Sequence, residues 1–451
     1  MIHIVSFCSN IKFTHLNMYW IRIAKALLLL QILLATWLCS GTRTECLLPM
    51  FITSISLFLS THLSGFFYNT KSIFLKSLIY STILFIVLSL IQYNNPYSQY
   101  IKLEDYSYTK ALCYIDFLPS SVRASFDNGN AFSALTIILT SFLTTISAYT
   151  IYNKSTRFLY TSIYWFLLNS ICMGTFAIFQ RIYEFPYMYN IASLISAGAF
   201  YGSFFNENAT GAYINMAIAV SMFCMFDVFK ESKFKFIILT TFTLLLSIST
   251  YFSHSKAAIL LMFLQWLILL LTIAYIIARK FTKFIIPIIS IFTLIPILTL
   301  SSFQLKNEKE RSINTRIQTY EYAFNMIKKR PIFGWGGNCV QYTLPKFFIT
   351  SKSNKKLYNI PFHSHSDVLE YTLSYGIIGL IALLFCGISW LTELYKYRKY
   401  MRPKHIFLFT GTICCLIHSS IDMELSIPAT MIAFGLLSVF SVITLKENKN
   451  V

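Results

Sequence analysis

Apolar runs of roughly 18 to 24 residues recur along the whole chain, and each is about long enough to cross a bilayer as a helix. In lipid every backbone N–H and C=O must be satisfied internally, so few folds remain open to such a chain. An outer-membrane barrel would show shorter segments of alternating polarity. Charged residues make up 12% of the chain and hydrophobic ones 56%, against about 25% charged in ordinary soluble proteins. The expectation is an all-α, polytopic membrane protein in a single membrane domain spanning 1–451.

About twelve spans are predicted, near 23–41, 47–67, 73–93, 131–152, 158–179, 209–228, 235–253, 257–278, 284–303, 369–392, 405–421 and 428–445. The first is read as a retained helix, because its run is long for a signal peptide and no small-residue cleavage site follows. Lys71, Lys154 with Arg157, Lys230 with Lys233 and Lys235, Arg279 with Lys280 and Lys283, and the basic run from Lys396 to Lys404 follow alternate spans. With Lys446 and Lys449 they fall on one side, which the positive-inside rule makes cytoplasmic. Both termini then lie in the cytoplasm. Two external loops are expected, a smaller Tyr- and Ser-rich one over 94–130 and a larger one over 304–368.

The net charge of +19 has two sources. One is this cytoplasmic fringe, which suits anionic membrane lipids. The other is the large loop, with eleven Lys and Arg against four acids. A basic loop outside the cytoplasm excludes nucleic acid as the natural partner and favours an anionic ligand such as a lipid-linked phosphate or pyrophosphate. Most of the ten cysteines lie within spans and act as small hydrophobes. Cys113 and Cys339 fall in the two external loops, where an oxidising compartment permits a bridge without requiring one.

Within the large loop Ile313, Ile317, Tyr320, Phe324 and Ile327 recur at helical spacing, predicting an amphipathic helix fit to lie on the outer leaflet. Pro331 and the glycines of Gly334-Trp335-Gly336-Gly337 end it. The Lys328-Lys329-Arg330 run reads as a solvated or headgroup-facing patch. The loop closes with His363-Ser364-His365-Ser366-Asp367, just before the next span. A cation, a glycine turn and a histidine cluster at one membrane face point to chemistry.

The arrangement R-x-x-x-Y-x-x-A-x-x-M-I from Arg316, then P-x-x-G-x-G, H-S-H-S-D-x-L-E and Y-G-I-I-G, resembles the O-antigen ligase family. Relatives of that family include O-antigen and exopolysaccharide polymerases and O-linked protein oligosaccharyltransferases. Phe204 to Ala212 looks like the family's Gly/Asn-rich opening of a span, and His418-Ser419-Ser420-Ile421-Asp422 with Pro428 like its closing motif. The resemblance covers about 195–440. It implies transfer, on the periplasmic face, of a glycan carried on undecaprenyl pyrophosphate to an acceptor hydroxyl, with inversion and without a metal or other cofactor. The acceptor is a lipid A–core sugar for a ligase, or another lipid-linked glycan for a polymerase.

The residues suit that chemistry. A sugar hydroxyl needs a base as the new bond forms, and histidine titrates near neutral pH. His365 matches the family histidine, and His363 is assigned a supporting place. A departing pyrophosphate gains charge that a fixed cation stabilises. Arg316 matches the family arginine. Where the family usually has a second arginine this chain has Lys256, which keeps the charge and loses the bidentate fork. Ala199-Phe200-Tyr201 stands where a further basic residue is common, so Arg181 from the neighbouring turn is a candidate substitute. Asp367 and Glu370 share a face at the start of the tenth span, fit to orient His365 or to complement the helix dipole. A different class, a lipid-linked glycan flippase or transporter, would place ionisable groups at mid-membrane. Here they gather at one face.

Overall fold

The computed structural model describes residues 2–65, 71–103, 107–184, 200–229, 231–278, 308–350 and 363–450, with side chains at 2–16, 277–278, 308–315, 348–350 and 450 excepted. Its helices are α1 (Ile2–Trp37), α2 (Thr44–Leu63), α3 (Ile73–Asn94), α4 (Ala131–Lys154), α5 (Thr156–Ile182), α6 (Glu207–Val228), α7 (Lys233–Phe252), α8 (Lys256–Ala278), α9 (Glu308–Lys329), α10 (Val340–Thr350), α11 (Asp367–Lys396), α12 (His405–Ile421) and α13 (Pro428–Asn450). Among the described residues ten helices are long and apolar enough to cross a membrane, and α12 is a shorter apolar helix. Eleven of the twelve expected spans thus fall on helices. The one expected near 284–303 lies outside the described residues.

α6 and α13 form the enclosed centre, each 94% buried over its apolar window. Many buried hydroxyls of the spans survive inside by bonding back along their own helix. In α4, Thr136, Thr140 and Thr144 each donate to the carbonyl four residues earlier, at 2.9, 2.7 and 2.6 Å. A buried hydroxyl is then satisfied without any partner helix.

Charged contacts sort the helix ends. At one end Lys25 donates to Ser155 at 3.0 Å, Lys404 pairs with Asp227 at 2.5 Å, and Lys446 pairs with Glu393 at 3.3 Å. Ser72 donates to the same Glu393 at 3.1 Å. These residues border the connections that the lysine and arginine pattern assigns to a single side. The opposite end carries the two loops.

The smaller loop departs from the all-α expectation. It folds into a three-stranded sheet of β1 (Pro96–Lys102), β2 (Ser107–Ala111) and β3 (Ser121–Arg123) in the order β2-β1-β3. β1 pairs antiparallel with β2, with Ser98 opposite Ala111 and Lys102 opposite Ser107, and parallel with β3. Tyr97-Ser98-Gln99-Tyr100-Ile101 does not alternate apolar with polar, and burial along β1 does not alternate either, so the segment carries no strand period.

α9 is helical as expected. Ile317 and Phe324 of its apolar stripe are 51% and 54% exposed, on the side that a helix lying on the outer leaflet would turn to lipid. Thr319, Ala323 and Met326 are buried on the other side, where Ala323 and Met326 pack against Val340, Leu344 and Leu373. One further expectation needs correction. Arg330 is no solvated patch. Its guanidinium sits over Tyr97, Trp335 and Tyr114 at 4.4, 4.6 and 5.1 Å and donates to Ser120 at 2.6 Å and Tyr114 at 2.7 Å. It joins the sheet to the large loop. Cys113 and Cys339 are both free thiols; Cys339 is buried, donates to Gly337 and accepts from Val122, each at 3.2 Å.

Candidate active site

The site forms where the glycine turn of the large loop meets a broken helix. α11 is interrupted at Gly376, whose φ of 64° and ψ of −163° lie in a region essentially reserved for glycine. In an unbroken helix the amides of Ile377 and Ile378 would close on Leu373 and Ser374. Here they donate instead to Pro331 at 2.8 Å and Ile332 at 3.4 Å. The freed carbonyls of Leu373 and Ser374 accept from Trp335 at 2.6 Å and Gly336 at 3.0 Å. The turn is therefore stitched into the helix by four backbone bonds. Gln92, at the end of α3, adds a clamp: its amide nitrogen donates to Ser374 at 3.0 Å and its oxygen accepts from Gly337 at 3.2 Å.

This lock fixes α9 against the first half of α11, and with them Arg316 and His365. Asp422, just past α12, stands between the two. Its carboxylate lies 3.6 Å from the Arg316 guanidinium and 3.7 Å from His365 Nδ1, and it accepts from Asn208 Nδ2 at 2.5 Å. Arg316 also donates to the Ile421 carbonyl at 3.2 Å. The Asp422 backbone amide caps α12 through the His418 carbonyl at 3.0 Å, and its carbonyl accepts from the Asp367 amide at 3.2 Å. Burial works against the charge on Asp422. The His365 contact, the Met423 amide and Arg316 outweigh it and hold the carboxyl below its usual range.

His365 has a φ of 50°, in the left-handed region. Non-glycine residues there are uncommon and carry strain that surrounding contacts must hold. Tyr320 supplies one such contact, donating to the His365 carbonyl at 3.1 Å. The imidazole remains 43% exposed, and the Arg316 side chain 39%. Both can meet a ligand.

The supporting residues separate into two groups. Asp367 accepts from the Leu425 amide at 2.6 Å and the Ser426 hydroxyl at 2.7 Å, which ties α11 to the α12–α13 connection. Glu370 accepts from the Ser364 amide at 3.0 Å and hydroxyl at 2.8 Å, and lies 3.3 Å from His363 Nδ1. Neither carboxylate touches His365; Asp422 takes the part that the sequence had offered to them. Packing lowers the His363 pKa, and Glu370 more than reverses this, so the group is raised above its ordinary value. A raised folded-state pKa stabilises the fold fully below the unfolded value of about 6.5, and the contribution fades as pH climbs through the folded value. Thermal midpoints of the protein and a His363→Gln variant should accordingly differ most below about pH 6.5 and converge at alkaline pH.

The two remaining cations stand elsewhere at the same end. Arg181 forms a close ion pair with Glu207, donates to the Phe252 carbonyl at 3.2 Å and lies over the Tyr201 ring. Lys256 is exposed in the first turn of α8. Among the described residues no contact joins either to Arg316, His365 or Asp422.

An apolar cavity of about 450 Å³ lies beside the site. It follows α11 from Asp367, near Ser419 and Leu425, down to Phe74 and Trp390 toward the opposite end, between walls that include Phe142 and Phe434.

Residues 195–384 match the O-antigen ligase family. Over that stretch the chain is similar to the O-antigen ligases. The match supports a membrane glycosyltransferase of the ligase and polymerase type. Arg316, His365, the glycine turn and the break in α11 all lie inside the matched stretch. Asp422 lies beyond it. No curated protein matches the chain.

Asp422 and Asn208 were the residues whose places the sequence did not reveal. Asn208 belongs to the Asn206-Glu207-Asn208 opening of α6, where Asn206 caps the helix by accepting from the Asn208 amide at 2.8 Å. Asp422 ends the apolar run of α12. An acid there, on the same outer side and in the stretch that resembles the family's closing motif, could approach the site, and only packing brings it to Arg316.

Proposed function

We propose that the chain is a glycan transferase of the O-antigen ligase type. In this reading it moves a glycan from undecaprenyl pyrophosphate to a hydroxyl of lipid A–core, on the periplasmic face of the bacterial inner membrane. The observation that carries the proposal is the Asp422-centred juxtaposition of an exposed arginine and an exposed histidine beside an apolar cavity. The chain's sidedness rests on the lysine and arginine pattern, which puts this end outside.

His365 takes the acceptor proton. With Nδ1 turned to Asp422 and carrying its hydrogen there, Nε2 is the unprotonated nitrogen that faces the incoming hydroxyl. Asp422 holds the ring and stabilises the imidazolium that forms. The acceptor oxygen attacks the anomeric carbon from the face opposite the pyrophosphate, the carbon–oxygen bond to phosphate breaks, and the electron pair leaves with the phosphate. Arg316 faces that growing charge with a planar fork suited to two phosphate oxygens. Lys256 and Arg181, which make no contact with Arg316, His365 or Asp422 among the described residues, would serve only the outer part of a long anionic headgroup. The apolar cavity suits the donor's lipid tail, and the reaction is inverting and independent of metal in this scheme.

The test is a reconstituted transfer assay with a lipid-linked glycan donor and lipid A–core acceptor, read by mass spectrometry. Capped lipid A–core supports the ligase reading. A lengthened lipid-linked glycan with no capped core would replace it by the polymerase. In the same assay Arg316→Ala should reduce kcat/KM for the donor by roughly 10²-fold, and Arg316→Lys, which keeps the charge without the fork, by about tenfold. Equal activity of all three proteins would remove Arg316 from the donor site.

A further inference from the structure

Directly behind Asp422 lies a second acid and a second histidine that the transfer scheme does not use. His418 and Glu424 are each 1% exposed, with His418 Nε2 at 3.5 Å from Glu424 Oε1. Neither ring nitrogen and neither carboxyl oxygen has a hydrogen-bond partner among the described residues. His418 is one helical turn before Asp422 and receives its backbone amide. The pair therefore sits at the root of the residue that joins Arg316 to His365.

We propose that Glu424 is a neutral carboxylic acid that keeps its proton and donates an O–H hydrogen bond to His418, and that this uncharged pair is a positioning element for Asp422. The proposal rests on the transfer reading for its purpose, though not for its chemistry. A buried ion pair repays the loss of water only when further hydrogen bonds satisfy its remaining lone pairs and protons. Glu424 and His418 have none among the described residues. A neutral acid and a neutral imidazole in contact avoid that cost and need one hydrogen bond between them.

The surrounding charges point the same way. The groups that face Glu424 are Asp422 in its own connection, Asp367 from α11, and Cys415 and His418 from α12. Arg316 from α9 and His365 lie on the far side of Asp422 and are already engaged there. Burial pushes the Glu424 carboxyl well above the usual carboxylate range, and Asp422 and Asp367 push it further. Asp422, by contrast, has Arg316, Asn208 and the Met423 amide. A charged Glu424 would raise Asp422 and weaken its hold on the His365 imidazolium; a neutral one leaves Asp422 as the charge that His365 meets.

Infrared spectroscopy of the purified full chain in detergent at neutral pH tests the proton itself. A protonated carboxyl gives a C=O stretch that moves down in D2O. That band is expected in the protein, absent in Glu424→Gln, retained in Asp367→Asn, and displaced to higher frequency in His418→Leu, where the acceptor is gone. A Glu424→Gln spectrum with every protonated-carboxyl band still present would overturn the proposal, as would an unmoved band in His418→Leu. This readout does not require transfer, so it stands even if the proposed reaction fails. In the transfer assay Glu424→Gln, which mimics the neutral acid, should keep kcat within about twofold and leave the acidic limb of the pH profile in place. A fall of more than about tenfold in that variant would mean that Glu424 acts through its charge or its proton, against the proposal.

Discussion

Replacing His365 by alanine is expected to leave the protein inserted while glycan transfer falls by roughly 10²- to 10⁴-fold, the range ordinarily supplied by a positioned general base. The imidazole contributes little to the fold. It is 43% exposed and its one ion-pair contact, to Asp422, is long at 3.7 Å. The Tyr320 bond goes to the backbone carbonyl and survives any side-chain change. Alanine is less comfortable than the native residue at a φ of 50°, so His365→Asn is the better companion variant, because asparagine tolerates the left-handed region. It also keeps a donor toward Asp422 while lacking a base near neutral pH. Both variants should be inactive with normal membrane yield and normal melting. Transfer at the native rate by the asparagine variant would remove His365 from catalysis. Asp422→Asn should fall less far, since the base remains and only its orientation and the stabilised imidazolium are lost.

The membrane architecture was legible because its physical cause is local. A helix that must satisfy its own backbone in lipid advertises itself as a long apolar run, and the predicted span over 405–421 coincides with α12. Arg316 and His365 were legible for a different reason: polar residues stand out against apolar sequence. What the sequence could not reveal depended on packing between distant segments. Asp422 reads as an acid on the outer side that could approach the site, and only the contacts of Arg316 with Ile421 and Asp422 put it there. Gln92 looked like an ordinary polar residue leaving a span, although it clamps the turn to α11. Arg330 matched a basic run of a kind usually solvated, but three aromatic rings from two loops enclose it. The strand after Pro96 was not legible, because Tyr97-Ser98-Gln99-Tyr100-Ile101 does not alternate apolar with polar and only its pairing with β2 and β3 makes it a strand.

The glycine motifs were visible as motifs, yet their meaning lies in each other. Pro331 to Gly336 and Ser374 to Gly376 are two halves of one joint, and the second large effect follows from this. Gly376→Ala is expected to cost more than about 3 kcal/mol and to abolish transfer even though Gly376 touches no substrate. A Cβ at that position would lie 2.1 Å from the Ile332 carbonyl oxygen and 2.6 Å from the Phe333 amide. Both are backbone atoms and cannot rotate away, and a φ of 64° with ψ near −163° is itself closed to alanine. Relief requires the turn to withdraw, which breaks its four bonds to α11 and frees α9 from the first half of that helix. Arg316 and His365 would then no longer be held on either side of Asp422. Gly334→Ala should produce the same failure from the other side of the joint, since its Cβ would meet the Leu373 oxygen at 2.4 Å. Gly387, farther along the same helix, is the control: a Cβ there meets nothing within 4 Å. Gly387→Ala should therefore be neutral or stabilise by up to about 1 kcal/mol. Protease sensitivity of the segment around Trp335, read together with melting and transfer, separates the outcomes. A Gly376→Ala protein with a protected turn and native transfer would show that the broken helix is not what assembles this site.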